Sequence, residues 1–188
     1  MTETADAACG GNPWGATFLD SFRYVDQMGR LAKRSVQAIF HSTLASSKYG
    51  LLDQNDFKPR PNYWAALLWR RLMGPVVLDA GEPREGLHLY AHCLRGQAGG
   101  VAFVAINNSR TDTTALILPK ASWRYTLTAE PLQSGIVRLN GRELRLQAGD
   151  NLPSLDGKQE PAGRIELVPA SIIFLAVPDA GNPGCSQS

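Results

Sequence analysis

The constraint that bears hardest on this 188-residue chain is a change of hydrophobic period at Gly74-Pro75. Before that pair, apolar residues recur at helical spacing; after it, they fall in short β-rich runs separated by turn residues. One layer cannot satisfy both periods, so the chain divides into an α/β piece at 1–74 and an all-β piece at 75–188.

In the first piece, Phe18, Phe22, Val25, Met28 and Ala32 follow a helical stripe, with Asp20, Arg23, Arg30 and Lys33 on other faces. Thr17 followed by Asp20 approximates a capping box, which predicts a helix over about 17–33. Val36, Ile39, Phe40 and Leu44 then read as a short buried strand over 35–44. Trp64, Leu67, Leu68 and Leu72 predict a second helix over about 62–73, ended by Gly74-Pro75. Two strands and two helices cannot cover both faces of a parallel sheet, so the expectation is that the missing elements lie elsewhere or that the chain is truncated.

The second piece carries nine apolar runs: 76–78, 87–94, 101–106, 114–118, 123–128, 136–139, 143–146, 164–168 and 171–177. Asn140-Gly141 between two of them is the pair that a type I′ hairpin turn demands, because both central residues need positive φ. An antiparallel β-sandwich is the natural expectation. His88 and His92 share one strand face, where a solvated or core-edge role outweighs a ligand pair.

Nineteen basic against seventeen acidic residues leave a formal charge of +2, without a run of like charge. That argues against nucleic acid or an acidic membrane surface as partner. The longest apolar run, Ala170 to Val177, is too short to cross a bilayer, and no signal segment opens the chain. Cys9, Cys93 and Cys185 lack the short spacings of a metal site and His41, His88 and His92 are not grouped with them, so neither a metal nor a cofactor is expected.

One stretch suggests chemistry. Glu3 stands just before the small-residue loop Ala7-Ala8-Cys9-Gly10-Gly11, which a turn at Pro13-Trp14 closes. Paired glycines let backbone approach a ligand closely, so Glu3 is a candidate for the edge of a polar site. The competing reading is a solvated terminal residue before a linker.

The segments Thr2 to Trp14, Tyr49-Gly50-Leu51-Leu52-Asp53 and Pro59 to Gly74 together resemble the C-terminal part of glycoside hydrolase family 79, the heparanase and β-glucuronidase family. The likeness extends through Leu87 to Cys93 and the Asn140-Gly141 hairpin. It implies the C-terminal remnant of a (β/α)8 TIM barrel followed by an antiparallel β-sandwich. Residues 1–74 would hold the end of the seventh strand, the seventh helix, the eighth strand and the eighth helix, and 75–188 an accessory sandwich. It implies a retaining hydrolase of β-linked glucuronides with Glu3 as nucleophile. The family's acid/base glutamate lies on the fourth barrel strand, before this chain begins, and Asp6, Asp20 and Glu82 match no such position. The resemblance places the Gly10 and Gly11 amides at the substrate's carboxylate, although Ala8 stands where the family often has tyrosine and Cys9 where it has a first glycine. Tyr49 matches a substrate-contacting tyrosine or is an interface aromatic. His41 falls where a polar side chain can face the sugar, or it is a satisfied structural group.

Cys93 and Cys185 match a sandwich disulfide of the heparanase branch, with three unrelated reduced cysteines as the alternative. A bridge would imply an oxidising compartment, consistent with a family usually exported. The partners implied are a glucuronic-acid-containing glycan or glucuronide and the missing N-terminal part of the barrel. The other function considered is a non-catalytic fragment consisting mainly of the sandwich, with or without carbohydrate binding of its own.

Overall fold

The computed structural model describes residues 4–6 and 11–186. Among these are two α-helices, α1 (Phe18–Lys33) and α2 (Pro61–Leu72). Ten strands accompany them: β1 (Met73–Leu78), β2 (Leu87–Leu94), β3 (Val101–Asn107), β4 (Thr114–Leu118), β5 (Ser122–Thr128), β6 (Arg138–Leu139), β7 (Arg142–Glu143), β8 (Lys158–Glu160), β9 (Gly163–Leu167) and β10 (Ser171–Val177). None of the described helices is long and apolar enough to cross a membrane. Two compact units emerge. One takes in the described residues up to Leu67 with Thr128–Leu155, the other Leu68–Leu127 with the described residues from Asp156 onward.

The second unit is built on two antiparallel sheets. β1, β2, β3, β10 and β5 pair in that order, β8 joins β5, and β4 pairs with β9 separately. Leu87, Ala105, Ile173 and Leu175 from the larger sheet meet Leu118, Ile165 and Leu167 from the smaller one in a common core. Strand β9 alternates as such packing requires, with Ile165 and Leu167 buried between exposed Arg164 and Glu166. By contrast, β10 is buried at every position, which is why it reads as an unbroken apolar run. The short strand β8 escapes sequence reasoning because Lys158-Gln159-Glu160 has no apolar alternation; it is a polar edge strand held by backbone pairing to Ser122, Trp123 and Arg124.

Gly74-Pro75 does not terminate α2 in the expected way. The helix ends at Leu72 and β1 begins at Met73 without a loop. Gly74 instead permits a close strand approach, since a Cβ there would clash with the Cys93 carbonyl oxygen. Its own carbonyl accepts a 2.7 Å hydrogen bond from His92 Nδ1–H, and the His92 ring meets Trp69 edge to face at 5.2 Å. His92 is therefore a core group, and its burial, with the Arg95 charge nearby, lowers its pKa despite the bond to Gly74. Gly74→Ala should destabilise the chain by about 1–3 kcal/mol, the usual cost of overpacking. A urea unfolding midpoint equal to wild type would show that β1 and β2 part freely at that point.

In the first unit, α1 buries Phe18, Ser21, Tyr24, Val25 and Gly29, while Asp20 is also buried as an ion-paired group. The expected capping box is not formed. Thr17 Oγ1 donates instead to the Trp14 carbonyl at 2.7 Å, and Asp20 bonds Arg23 and Asn62. The Phe18 and Leu19 N–H groups donate to the Ser134 and Leu132 carbonyls, both at 2.9 Å. These backbone partners meet the need that a capping side chain would otherwise serve. The hairpin β6–β7 turns where expected, with Asn140 at φ 50° and Gly141 at φ 85°.

The segment 35–44 departs most from expectation. It holds only a parallel bridge between His41 and Thr4, and Phe40 and Leu44 are each 62% exposed. Among the described residues Thr4 is its one strand-like neighbour, and a single bridge cannot organise a ladder.

Candidate functional site

The parallel bridge is the seed of the site. Thr4 N–H donates to the Phe40 carbonyl at 2.7 Å, and Ser42 N–H donates to the Thr4 carbonyl at 2.8 Å. Between the two segments runs α1, so Thr4, helix and His41 follow a β-α-β order. Glu3 and Gly10 lie outside the described residues, as do Ala8 and Cys9.

Gly11 adopts φ +81°, which favours glycine, and a Cβ on it would come 3.7 Å from Lys48 Cβ and 3.8 Å from Tyr49 Cδ1. The next turn, at Asn12-Pro13-Trp14-Gly15, is closed by Gly15 N–H donating to the Asn12 carbonyl and by Trp14 N–H donating to Asn12 Oδ1, both at 3.0 Å. At Gly15 a Cβ would lie 2.9 Å from Tyr49 Cβ and 3.1 Å from Asp6 Oδ2. The structure thus brings Gly11, Gly15, Asp6 and Tyr49 together.

His41 supports Tyr49. Its Nε2–H donates to the Tyr49 carbonyl at 2.9 Å, and its ring meets Tyr24 edge to face at 5.2 Å. With Nε2 carrying the proton, Nδ1 is a bare acceptor, buried and without a hydrogen-bond partner. Burial pushes the His41 pKa down, outweighing the Tyr49 carbonyl's opposite effect, so the ring favours its neutral form. The loop carrying Tyr49 is tied from the other side by Arg60. Its guanidinium donates to the Ser47 carbonyl at 2.8 Å, to the Lys48 carbonyl, and to Asp53 Oδ2 at 3.0 Å.

Sequence reasoning passes over the most elaborate polar cluster of this unit. Arg23 donates to both carboxylate oxygens of Asp20, at 2.6 and 3.0 Å, in the bidentate geometry that guanidinium favours. Its Nε also lies 3.3 Å from Asp6 Oδ1. Asn62, at the start of α2, donates to Asp20 Oδ2 at 2.6 Å and accepts from Ser21 Oγ at 2.8 Å. Gln27 Oε1 accepts from Arg23 Nη1 at 3.0 Å and from Thr4 Oγ1 at 2.8 Å. The only sequence signal is the i,i+3 spacing of Asp20 and Arg23; Asp6 and Asn62 are contributed by distant segments.

Elsewhere, Cys93 and Cys185 form a disulfide with Cα atoms 5.3 Å apart. The tail is further held by Gly99 N–H donating to the Cys185 carbonyl and Asn182 N–H to the Gly99 carbonyl, at 2.8 and 2.9 Å. Among the described residues no three His, Cys, Asp or Glu side chains gather as a metal site.

No family model matches the chain. Its sequence is nevertheless similar to curated proteins. Heparanase-like protein 1 of Arabidopsis thaliana is 32% identical over 94% of this chain and 40% of that protein. The baicalin-β-D-glucuronidase of Scutellaria baicalensis is 30% identical over 86% of this chain and 32% of its own length. Mouse heparanase is 32% identical over 98% of this chain and 38% of its length. The chain therefore spans about two fifths or less of these relatives. Among solved structures, a glycoside hydrolase family 51 α-L-arabinofuranosidase from Thermotoga petrophila superposes with a TM-score of 0.62 at 15% identity, over 94% of this chain and 42% of that one. A family 30 xylanase from Clostridium acetobutylicum gives 0.60 at 13% identity, over 95% and 42%. At such identities the structural likeness speaks to fold alone.

Proposed function

The chain belongs by sequence to glycoside hydrolase family 79, the heparanase and β-glucuronidase family, and we propose that it forms the nucleophile-bearing part of a retaining hydrolase of β-linked glucuronides. In this reading residues 1–74 complete a (β/α)8 barrel and residues 75–188 form an accessory β-sandwich. The observation that carries the reading is the parallel bridge of Thr4 to His41 across α1, the pairing expected of consecutive barrel strands. Glu3 precedes Thr4 directly, and in this reading its carboxylate stands at the strand end where barrel active sites are built.

Retaining hydrolysis needs two carboxyl groups about 5 Å apart. Glu3 attacks the anomeric carbon and forms the glycosyl-enzyme. The acid/base that protonates the leaving oxygen and then activates water is supplied by the remainder of the barrel. The Gly10 and Gly11 amides would receive the substrate's carboxylate, a role suited to backbone N–H groups. Tyr49 would contact the sugar, propped by His41 and, through its loop, by Arg60. Phe40 and Leu44, exposed here, are suited to burial against the rest of the barrel, since parallel strands are covered on both faces. The disulfide favours an exported protein.

The purified 188-residue chain is expected to release no aglycone from an aryl β-glucuronide. Turnover by the chain alone, lost on Glu3→Gln, would show that it carries its own acid/base.

A further inference from the structure

Asp6 poses a chemical problem. Its side chain is 6% exposed and that of Asp20 2%, so two largely buried carboxyl groups face one guanidinium that is itself 34% exposed. Arg23 neutralises one negative charge. Asp20 already takes both arms of the guanidinium and the Asn62 amide, whereas Asp6 has the longer contact to Arg23 Nε and the pull of the Asn12 side chain. Asp6 Oδ2 is buried and meets no donor. A bare carboxylate oxygen in that position would bear a desolvation cost that Arg23 and Asn12 offset only in part. A proton on Asp6, donated to Asp20, removes both the orphan and the surplus charge.

We propose that Asp6 and Asp20 act as one proton-sharing carboxyl pair, held by Arg23, which fastens the segment following Glu3 to α1 more firmly in acid than in alkali. This rests on the reading of Glu3 as nucleophile, and it makes Asp6 a positioning residue. The path is short. Thr4, the residue next to Glu3, shares the Gln27 side-chain oxygen with Arg23, and Asp6 meets the same guanidinium, so both residues are fastened to one cluster. The charged and polar groups facing the pair are Arg23 from α1, Asn12 from the following loop and Asn62 from α2, and Tyr24 of α1 and His41 of the bridged segment also feel the Asp20 and Arg23 charges. Desolvation, then the Asp20 charge and hydrogen bond, raise the Asp6 pKa against the opposing pull of Arg23 and Asn12.

The sign follows from linkage. A carboxyl whose pKa is raised in the fastened state stabilises that state at low pH, fully below its ordinary value of 3.8, and the contribution is lost as pH rises through the raised value. The opening equilibrium should therefore shift by a factor of about ten for each unit that separates the two.

The test needs no catalysis. In the 188-residue chain, the Asp6 carboxyl is titrated by carbon-detected NMR while hydrogen exchange is followed at the Thr4 and Ser42 amides, which bond the two segments together. Asp6 should titrate above an ordinary aspartate and fall back in Asp20→Asn. Protection factors at Thr4 and Ser42, corrected for intrinsic base catalysis, should drop across the same pH range. In Asp6→Asn, whose amide can donate permanently to Asp20, that drop with rising pH should be absent, leaving only the opposite, acid-side loss expected when the buried neutral His41 is protonated. An Asp6 titrating at or below the ordinary value in the wild-type chain overturns the proposal, and so does the same loss of protection in Asp6→Asn. Either result leaves the role of Glu3 to be judged separately by activity.

Discussion

In the whole protein, Glu3→Ala is expected to lower kcat on an aryl β-glucuronide by several orders of magnitude while leaving the protein folded. The size follows from the chemistry. Without an attacking carboxylate no glycosyl-enzyme forms, and each tenfold loss of rate corresponds to about 1.4 kcal/mol of barrier. Glu3→Gln should behave alike, because the amide preserves shape and removes nucleophilicity. Substrate affinity should change far less than kcat, since the contacts assigned to Gly10, Gly11 and Tyr49 remain. A Glu3→Ala enzyme retaining near-normal turnover would remove Glu3 from the mechanism. A parallel loss in a variant of Arg60, which only braces the Tyr49 loop, should be smaller and should fall on KM as well as on kcat.

Removing the Cys93–Cys185 bridge should have the largest effect on stability. The bonded residues are 92 apart in sequence, so the cross-link removes a large share of the unfolded chain's freedom. Chain-entropy reasoning puts the cost of its loss at about 2–5 kcal/mol. The bridge also sits over a small apolar cluster of Val101, Leu78, Phe103 and Ala180, which would lose its covalent anchor. Urea unfolding of the oxidised chain against a Cys93→Ser/Cys185→Ser chain measures this directly. Equal midpoints would mean that the bridge adds nothing to the folded chain, and that the tail bonds at Gly99 and Asn182 are enough to hold it.

Much of the fold is legible in the sequence wherever a local rule and the tertiary environment agree. The stripes of α1 and α2 place both helices within a residue of their observed ends, because each buries one face. Strands β2, β4 and β10 are marked by apolar runs bounded by turn residues. Asn140-Gly141 marks its hairpin because few other pairs tolerate positive φ twice in succession. The family likeness is carried by motifs around Glu3, Tyr49 and Pro59 to Gly74, and the similarity to heparanases and a β-glucuronidase agrees with it.

The candidate site is legible as a set of residues and not as an arrangement. Tyr49, His41 and Gly11 can be named from the sequence, yet nothing local states that the His41 ring holds the Tyr49 carbonyl or that Gly15 must be small to admit Tyr49. In the sequence Asp6 and Asp20 are two unmatched carboxylates. Their joint contact with Arg23 depends on a loop, α1 and the first turn of α2 arriving at one place.

The sequence by itself determined the elements whose causes lie within a few residues: helical stripes, apolar strands, an Asn-Gly turn and the motifs of a hydrolase family. Only the tertiary structure decided that α1 needs no capping side chain, that Gly74 serves a close strand approach instead of a helix end, that 35–44 makes one bridge, and that Asp6 shares Arg23 with Asp20. The physical reason is the same in each case. Hydrogen-bond satisfaction, steric clearance and charge balance depend on which atoms meet, and in these places the partners come from segments far apart in the chain.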